Sequence, residues 1–214
     1  MRICEIFKSI SGESLYAGYV TTFIRAYGCN INCSYCDSSY SCAGSDYKEM
    51  SIDEIISEVE KLECKRIVFT GGEPLIQKDA LDLVKALLNL NYFVEIETNG
   101  AVDISDIIGL HSDKCIVTMD WKCPSSNMNS RMISQNLAML RGCDVLKFVV
   151  GSEQDLDEMK RISKLTIATS FASPGFGKLE PKDIVQYLID NKLHSIRFQL
   201  QIHKYVWPMD MRGV

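Results

Sequence analysis

The sequence predicts an α/β protein built on a partial, open parallel βα barrel of about six βα units. Three observations carry this expectation. Short β-branched or aromatic runs alternate with amphipathic helical patterns along the chain. No linker, low-complexity segment or charge block interrupts them, so residues 1–214 are expected to form one domain. The length of 214 residues falls short of the roughly 250 of a complete eight-fold barrel. A doubly wound sheet shares the alternation. In both architectures the active site lies at the carboxyl ends of the strands.

The expected strands are "TTFIRAY" (21–27), "RIVFT" (66–70), "FVEIET" (93–98), "CIVTMD" (115–120), "VLKFVV" (145–150), "TIATSF" (166–171) and "SIRFQLQI" (195–202). Helices fall between them. The first opens with a capping box, Ser51 followed by Glu54, and then places Ile52, Ile55, Ile56, Val59 and Leu62 on one face. "KDALDLVKALLNL" repeats the pattern with Leu83, Val84, Leu87 and Leu88. Shorter helices are expected near 103–110, 130–141 and 153–164, and another over 181–192, which starts on Pro181, a residue suited to a first turn.

Composition excludes several function classes. A 46% hydrophobic, 24% charged chain of net charge −5 is globular and offers no broad surface for nucleic acid or an anionic membrane. Glu5, Lys8 and Glu13 interrupt the first residues, so no signal-peptide core is expected, and no apolar run is long enough to span a bilayer. A cytoplasmic setting with reduced thiols follows as the expectation. Nine cysteines are an odd number, and Cys4, Cys42, Cys64, Cys115, Cys123 and Cys143 are scattered. That argues for one metal cluster plus ordinary thiols rather than a disulfide framework.

Four unusual segments follow successive strands: "GCNINCSYC", "GGEP" (71–74), "ETNG" (97–100) and "DWK" (120–122). Their convergence on one rim is stronger evidence than any one of them. Cys29, Cys33 and Cys36 supply three thiolates in C-x3-C-x2-C spacing. Three ligands suit a four-iron cluster with one iron left open; zinc with Cys42 as fourth ligand is the alternative. In "TGGEPL", Gly72 lets backbone approach a ligand and Glu73 suits an ammonium group, although a tight turn explains the same residues. Thr98 can touch a ligand or form a turn, and Lys122 can bind a carboxylate or lie in solvent. Arg25 interrupts an apolar strand, so it either pairs with a structural carboxylate or grips an anionic substrate. The reading favours substrate, with Glu13 as a neighbour. His203 is either at the rim or in the core.

The cysteine spacing followed by "GGEP" resembles the radical S-adenosylmethionine (SAM) superfamily. With "EIFKSISGES", "EIETNG", "DWKCP", "SPGFGKLEP" and "QLQIHKYVWP", nearly the whole chain is similar to its 7-carboxy-7-deazaguanine synthase family. The resemblance implies a [4Fe-4S] cluster on Cys29, Cys33 and Cys36, SAM on the open iron, Mg2+ at Ser38, and an abridged barrel that forms homodimers. It implies a lyase acting on 6-carboxy-5,6,7,8-tetrahydropterin, with loss of ammonia, in the queuosine pathway. An external donor such as a flavodoxin or ferredoxin would reduce the cluster.

By the same resemblance, Tyr35, Cys36, Asp37, Gly72, Glu73, Gly100, Asp120, Trp121, Lys122 and Ser173 would hold the cofactor. Ile10, Ser11, Gly12, Glu13, Arg25, Thr98, His203 and Pro208 would hold substrate. Two positions depart from the family, which often has glutamine at Ser11 and threonine at Ser38. Other readings are a small radical SAM activase that docks a partner's peptide loop and a non-catalytic zinc module that needs Cys42.

Overall fold

Residues 2–198 feed a single sheet whose nine strands lie in the order β3-β1-β2-β4-β5-β6-β7-β8-β9. The computed structural model describes residues 1–42, 44–175, 177–208 and 211–214. The strands are β1 (Arg2–Ile10), β2 (Val20–Ala26), β3 (Lys48–Glu49), β4 (Arg66–Gly71), β5 (Phe93–Thr98), β6 (Cys115–Asp120), β7 (Val145–Val150), β8 (Thr169–Pro174) and β9 (Ile196–Phe198). From β2 through β4 to β9 every neighbouring pair is parallel. β1 runs antiparallel to both β2 and β3. The two edges, β3 and β9, do not pair, so the sheet stays open as expected.

The helices are α1 (Ile52–Lys61), α2 (Ala80–Asn89), α3 (Ser105–Ile108), α4 (Gln135–Met139), α5 (Glu153–Ile162), α6 (Pro181–Asp190) and α7 (His203–Val206). Ser51 and Glu54 form the capping box expected at the start of α1, and Pro181 is the first residue of α6. The apolar faces of α1, α2, α5 and α6 pack on one side of the sheet. There Ile24, Ile67, Phe69, Val94, Ile96, Val117, Met119, Leu146 and Phe148 form one buried cluster with Ile55, Leu83, Leu87 and Leu156.

The period-2 rule then turns the intervening residues to the opposite, inner face. These include Arg25, Thr70, Glu95, Glu97, Thr118, Asp120 and Lys147. Cross-strand bonds join them, including Thr70 Oγ1 to Glu97 Oε2 at 2.8 Å and Thr118 Oγ1 to Glu95 Oε1 at 2.6 Å. Polar residues in otherwise apolar strands thus mark the inner face.

Three differences from the sequence expectation have physical reasons. The antiparallel β1 was read only as an N-terminal segment, yet it zips onto β2 from Ile3–Ala26 to Ile10–Val20. β8 begins at Thr169 rather than 166, because a 3-10 turn over Ser163–Leu165 leaves Ile167 80% exposed before pairing starts. β9 ends at Phe198, and Gln199 N makes the last backbone bond to β8, to Ala172 O at 2.9 Å, before its side chain turns to the β1–β2 connection. Its amide accepts from Ser14 N at 2.7 Å and donates to Ser14 O at 2.9 Å, tying the open side of the sheet to the β1–β2 connection.

Candidate active site

β2 ends at Ala26 and releases the cysteine loop; β4 ends at Gly71 and releases "GGEP" beside it. The two loops touch through backbone, with Gly72 N donating to Ala26 O at 3.2 Å and Glu73 N to Gly28 O at 2.8 Å. Gly72 is required for this contact: a Cβ there would lie 2.2 Å from Gly28 O and 3.0 Å from Cys29 Cβ. Its lack of a side chain first serves loop against loop and leaves only backbone facing outward.

Glu73 departs from the expectation that it receives an ammonium group. It is fully buried and accepts from Leu75 N at 3.0 Å, Asn99 N at 2.7 Å and Thr98 Oγ1 at 3.0 Å. Burial pushes its pKa up to about 7 against those donors. Thr98 is buried beside it, and its hydroxyl donates to both oxygens of Glu73. The two residues clamp the "GGEP" turn to the end of β5.

The three expected thiols are free, with Cys36 exposed and Cys29 and Cys33 half-buried. Asn99, in the "ETNG" segment, donates Nδ2 to Cys29 Sγ at 3.5 Å and to Asn30 Oδ1 at 2.8 Å. The neighbouring Cys42 thiol favours the thiolate form of Cys29 and of Cys36 and lowers the pKa of each to about 6 against burial. Three thiols on one loop, one of them receiving an N–H donor from Asn99, fit an anionic cluster, although burial pushes Cys33 up to about 11 in the free thiol. Ser38 Oγ lies 3.9 Å from Cys36 Sγ, and Tyr35 reaches Val149 O at 3.5 Å. Asp37 is exposed, and Lys204 at 3.0 Å lowers its carboxyl to about 2.

β6 delivers Asp120 to the inner face, where its Oδ2 lies 3.0 Å from Lys122 Nζ and 3.2 Å from Lys147 Nζ. Trp121, one residue on, points the other way. Its indole is buried in the helical layer and donates to Glu158 Oε1 at 3.2 Å, so it presents no side chain to the site. Gly100 sits in the next loop, its carbonyl taken by Ile133 N at 3.1 Å. Ser173, on β8, is fully buried with no partner for its hydroxyl among the described residues. The orphaned Asp120 Oδ1 and Ser173 Oγ are acceptors that a bound nucleoside would satisfy, so this rim fits SAM.

The expected substrate residues lie on the β1–β2 connection and the C-terminal segment. His203 packs over Gly12 so closely that a Cβ there would meet His203 Nδ1 at 1.9 Å. Burial lowers the pKa of His203. Ile10 ends β1; Ser11 N donates to Tyr19 O and Ser11 O accepts from Gly18 N. Arg25 pairs with a structural carboxylate, the first of its two sequence readings. Its Nε donates to Glu5 Oε1 at 2.7 Å, between the rings of Phe7 and Tyr40, while it faces the inner side. Its carboxylate partner is therefore Glu5 and not Glu13. Glu13 instead pairs with Lys147 at 2.6 Å. Pro208 is exposed beyond α7 and does not reach the interior. Farther on, Arg212 pairs with Asp46 at 2.8 Å and stacks on Tyr40.

This arrangement is that of a radical SAM protein, and residues 23–112 match the radical SAM superfamily. That class implies a [4Fe-4S] cluster and SAM. The 7-carboxy-7-deazaguanine synthase of Clostridium acetobutylicum is 38% identical to this chain, covering 100% of it and 99% of the relative. That of Methanospirillum hungatei is 40% identical over 96% of this chain and 85% of the relative. The structure of QueE from Escherichia coli superposes with a TM-score of 0.75 at 19% identity, covering 93% of this chain and 92% of that one, a likeness of fold. The chain belongs to the 7-carboxy-7-deazaguanine synthase family.

Proposed function

We propose that this chain, as one domain over residues 1–214, converts 6-carboxy-5,6,7,8-tetrahydropterin to 7-carboxy-7-deazaguanine with loss of ammonia, as a carbon–nitrogen lyase of queuosine biosynthesis. The observation that carries this reading is an inner face on which the cation of Arg25 and the buried acceptor of Glu13 stand beneath the three-cysteine loop, in a chain of this family.

Cys29, Cys33 and Cys36 would hold the cluster. Tyr35, Asp37, Asp120, Lys122, Ser173 and the backbone of Gly72 and Gly100 would hold SAM. When bound, the pair supplies one-electron chemistry that ends in abstraction of a substrate hydrogen. The chain's own residues bind and orient. Arg25 has its Nε fixed by Glu5, which leaves the Nη groups to grip the substrate carboxylate. Glu13, Gly12, Ile10 and His203 would line the ring, and the packing of His203 on Gly12 keeps water from that end. Ser38 offers a hydroxyl oxygen to Mg2+, a cation that binds oxygen and retains waters. Exposure of Cys36 supports electron entry from a flavodoxin or ferredoxin at the loop edge. A homodimer in the cytoplasm completes the reading, and no helix is long and apolar enough to cross a membrane among the described residues.

Reduced, cluster-loaded protein incubated with SAM and the carboxypterin is expected to yield the deazapurine by mass spectrometry. No product from a competent cluster would overturn the assignment. Cys42→Ala is expected to keep four irons per chain after anaerobic reconstitution. Loss of the cluster in that variant would make Cys42 a ligand.

A further inference from the structure

Lys147 lies in the middle of "VLKFVV", on β7, and is buried to 8% exposure. Its neighbours in sequence pack into the apolar cluster or the sheet, so its ammonium enters the inner face alone. There it meets two carboxylates from distant parts of the chain: Glu13 Oε2 at 2.6 Å, from the β1–β2 connection, and Asp120 Oδ2 at 3.2 Å, from the end of β6. Burial opposes the charge of Lys147, but Glu13 and then Asp120 outweigh it and raise its pKa well above the usual lysine value.

The decisive feature is what the ammonium leaves over. It takes one oxygen of each carboxylate. The other oxygens, Glu13 Oε1 and Asp120 Oδ1, are both buried and without a partner among the described residues. A buried carboxylate oxygen without a donor is costly, and such atoms in a site call for a ligand that brings N–H or O–H groups. Glu13 sits with Gly12 and His203, on the side assigned above to substrate. Asp120 sits with Lys122 near the cysteine loop, on the side assigned to SAM.

We propose that Lys147 is a positioning residue shared by both ligands: it orients Glu13 and Asp120 so that Glu13 Oε1 accepts from ring N–H groups of the substrate and Asp120 Oδ1 accepts from donors of SAM. The inference rests on the proposed function for the identity of the first ligand. A reduced pterin carries a guanidine-like edge rich in N–H donors, which a fixed carboxylate suits. One cation thus serves two acceptors; losing it removes the cation paired with Glu13 and leaves Asp120 held by Lys122 alone, so the two carboxylates lose the group that fixes them relative to each other.

The test uses cluster-loaded protein and four variants: Lys147→Met, Lys147→Arg, Glu13→Gln and Asp120→Asn. SAM affinity is measured by equilibrium dialysis, carboxypterin KM and kcat by turnover, and iron content and thermal melting as controls of folding. Lys147→Met is expected to weaken SAM binding and to raise the pterin KM, each about tenfold or more, as loss of one ligand contact of about 1.4 kcal/mol would. Lys147→Arg should recover part of both. Glu13→Gln should raise the pterin KM and leave SAM affinity unchanged; Asp120→Asn should do the reverse. Unchanged SAM affinity and unchanged KM in folded Lys147→Met would overturn the inference, as would a lowered melting temperature with no change in either ligand. If Lys147→Met fails to fold, the opposite responses of Glu13→Gln and Asp120→Asn decide. Should wild type bind SAM but not turn over the pterin, the functional reading fails, and SAM affinity in Lys147→Met and Asp120→Asn still decides the role of Lys147.

Discussion

Arg25→Ala is expected to abolish measurable turnover of the carboxypterin while SAM affinity and iron content stay at wild-type levels. The guanidinium is anchored at one end only. Glu5 Oε1 takes Nε at 2.7 Å, the same oxygen accepts Tyr40 Oη at 2.8 Å, and the rings of Phe7 and Tyr40 flank the plane. That cage removes most of the arginine's rotamer freedom before substrate arrives, so a carboxylate meets a preformed fork. Losing one partner of a desolvated charge pair costs about 2–5 kcal/mol, or roughly a thirtyfold to several-thousandfold loss in kcat/KM. Arg25→Lys should recover little, because an ammonium cannot bond Glu5 through Nε and grip substrate with a planar fork at once. Glu5→Gln keeps an acceptor for Nε and is expected to cost far less than Arg25→Ala. Wild-type kcat/KM in Arg25→Ala would remove the arginine from the substrate site. Equal losses in SAM affinity would mean that the cage is merely structural.

Much of this site was legible because its signals are short. Three cysteines in eight residues need no tertiary context to be noticed, and "GGEP" and "DWK" follow runs that read clearly as strands. What could not be read was direction. Glu73 and Thr98 have the residue types of ligand contacts, yet they bond each other, because polar groups at adjacent strand ends are as able to satisfy a neighbour as a ligand. Trp121 was grouped with Asp120 and Lys122 by sequence adjacency, although alternation along β6 sends it to the helical layer. The same alternation could have found Lys147. A lysine inside "VLKFVV" is the same signal as an arginine inside "TFIRA", and only the second was followed. β1 escaped because "RICEIFKSI" was weighed only as a leader segment. Its pairing partner comes after a connection that holds Gly12 and Glu13, so the strand that was missed is what brings those residues to the site.

Gly72→Ala is the substitution expected to damage the cluster most without touching a ligand. Its Cβ would lie 2.2 Å from Gly28 O, 2.6 Å from Gly28 C and 3.0 Å from Cys29 Cβ. The obstacle is mostly backbone, and that backbone is held from both sides: Gly28 N donates to Ser41 O at 2.7 Å and Gly28 O accepts from Glu73 N at 2.8 Å. Relief requires either breaking the Glu73 contact, which carries the clamp with Thr98 and Asn99, or moving Cys29 away from Cys33 and Cys36. Overpacking typically costs about 1–3 kcal/mol, and here the strain falls on a ligand loop with little apolar packing to resist it. Reconstituted Gly72→Ala is therefore expected to hold a small fraction of the iron and sulfide of wild type, with the helical circular dichroism signal largely kept. Gly142→Ala, at a glycine with nothing within 4 Å of the added carbon, serves as the control and should load normally. By contrast, Gly12→Ala meets only the His203 side chain, which can swing away, so it should load a full cluster and fail instead at the substrate pocket. Full cluster occupancy in Gly72→Ala would show that the cysteine loop does not depend on its contact with "GGEP".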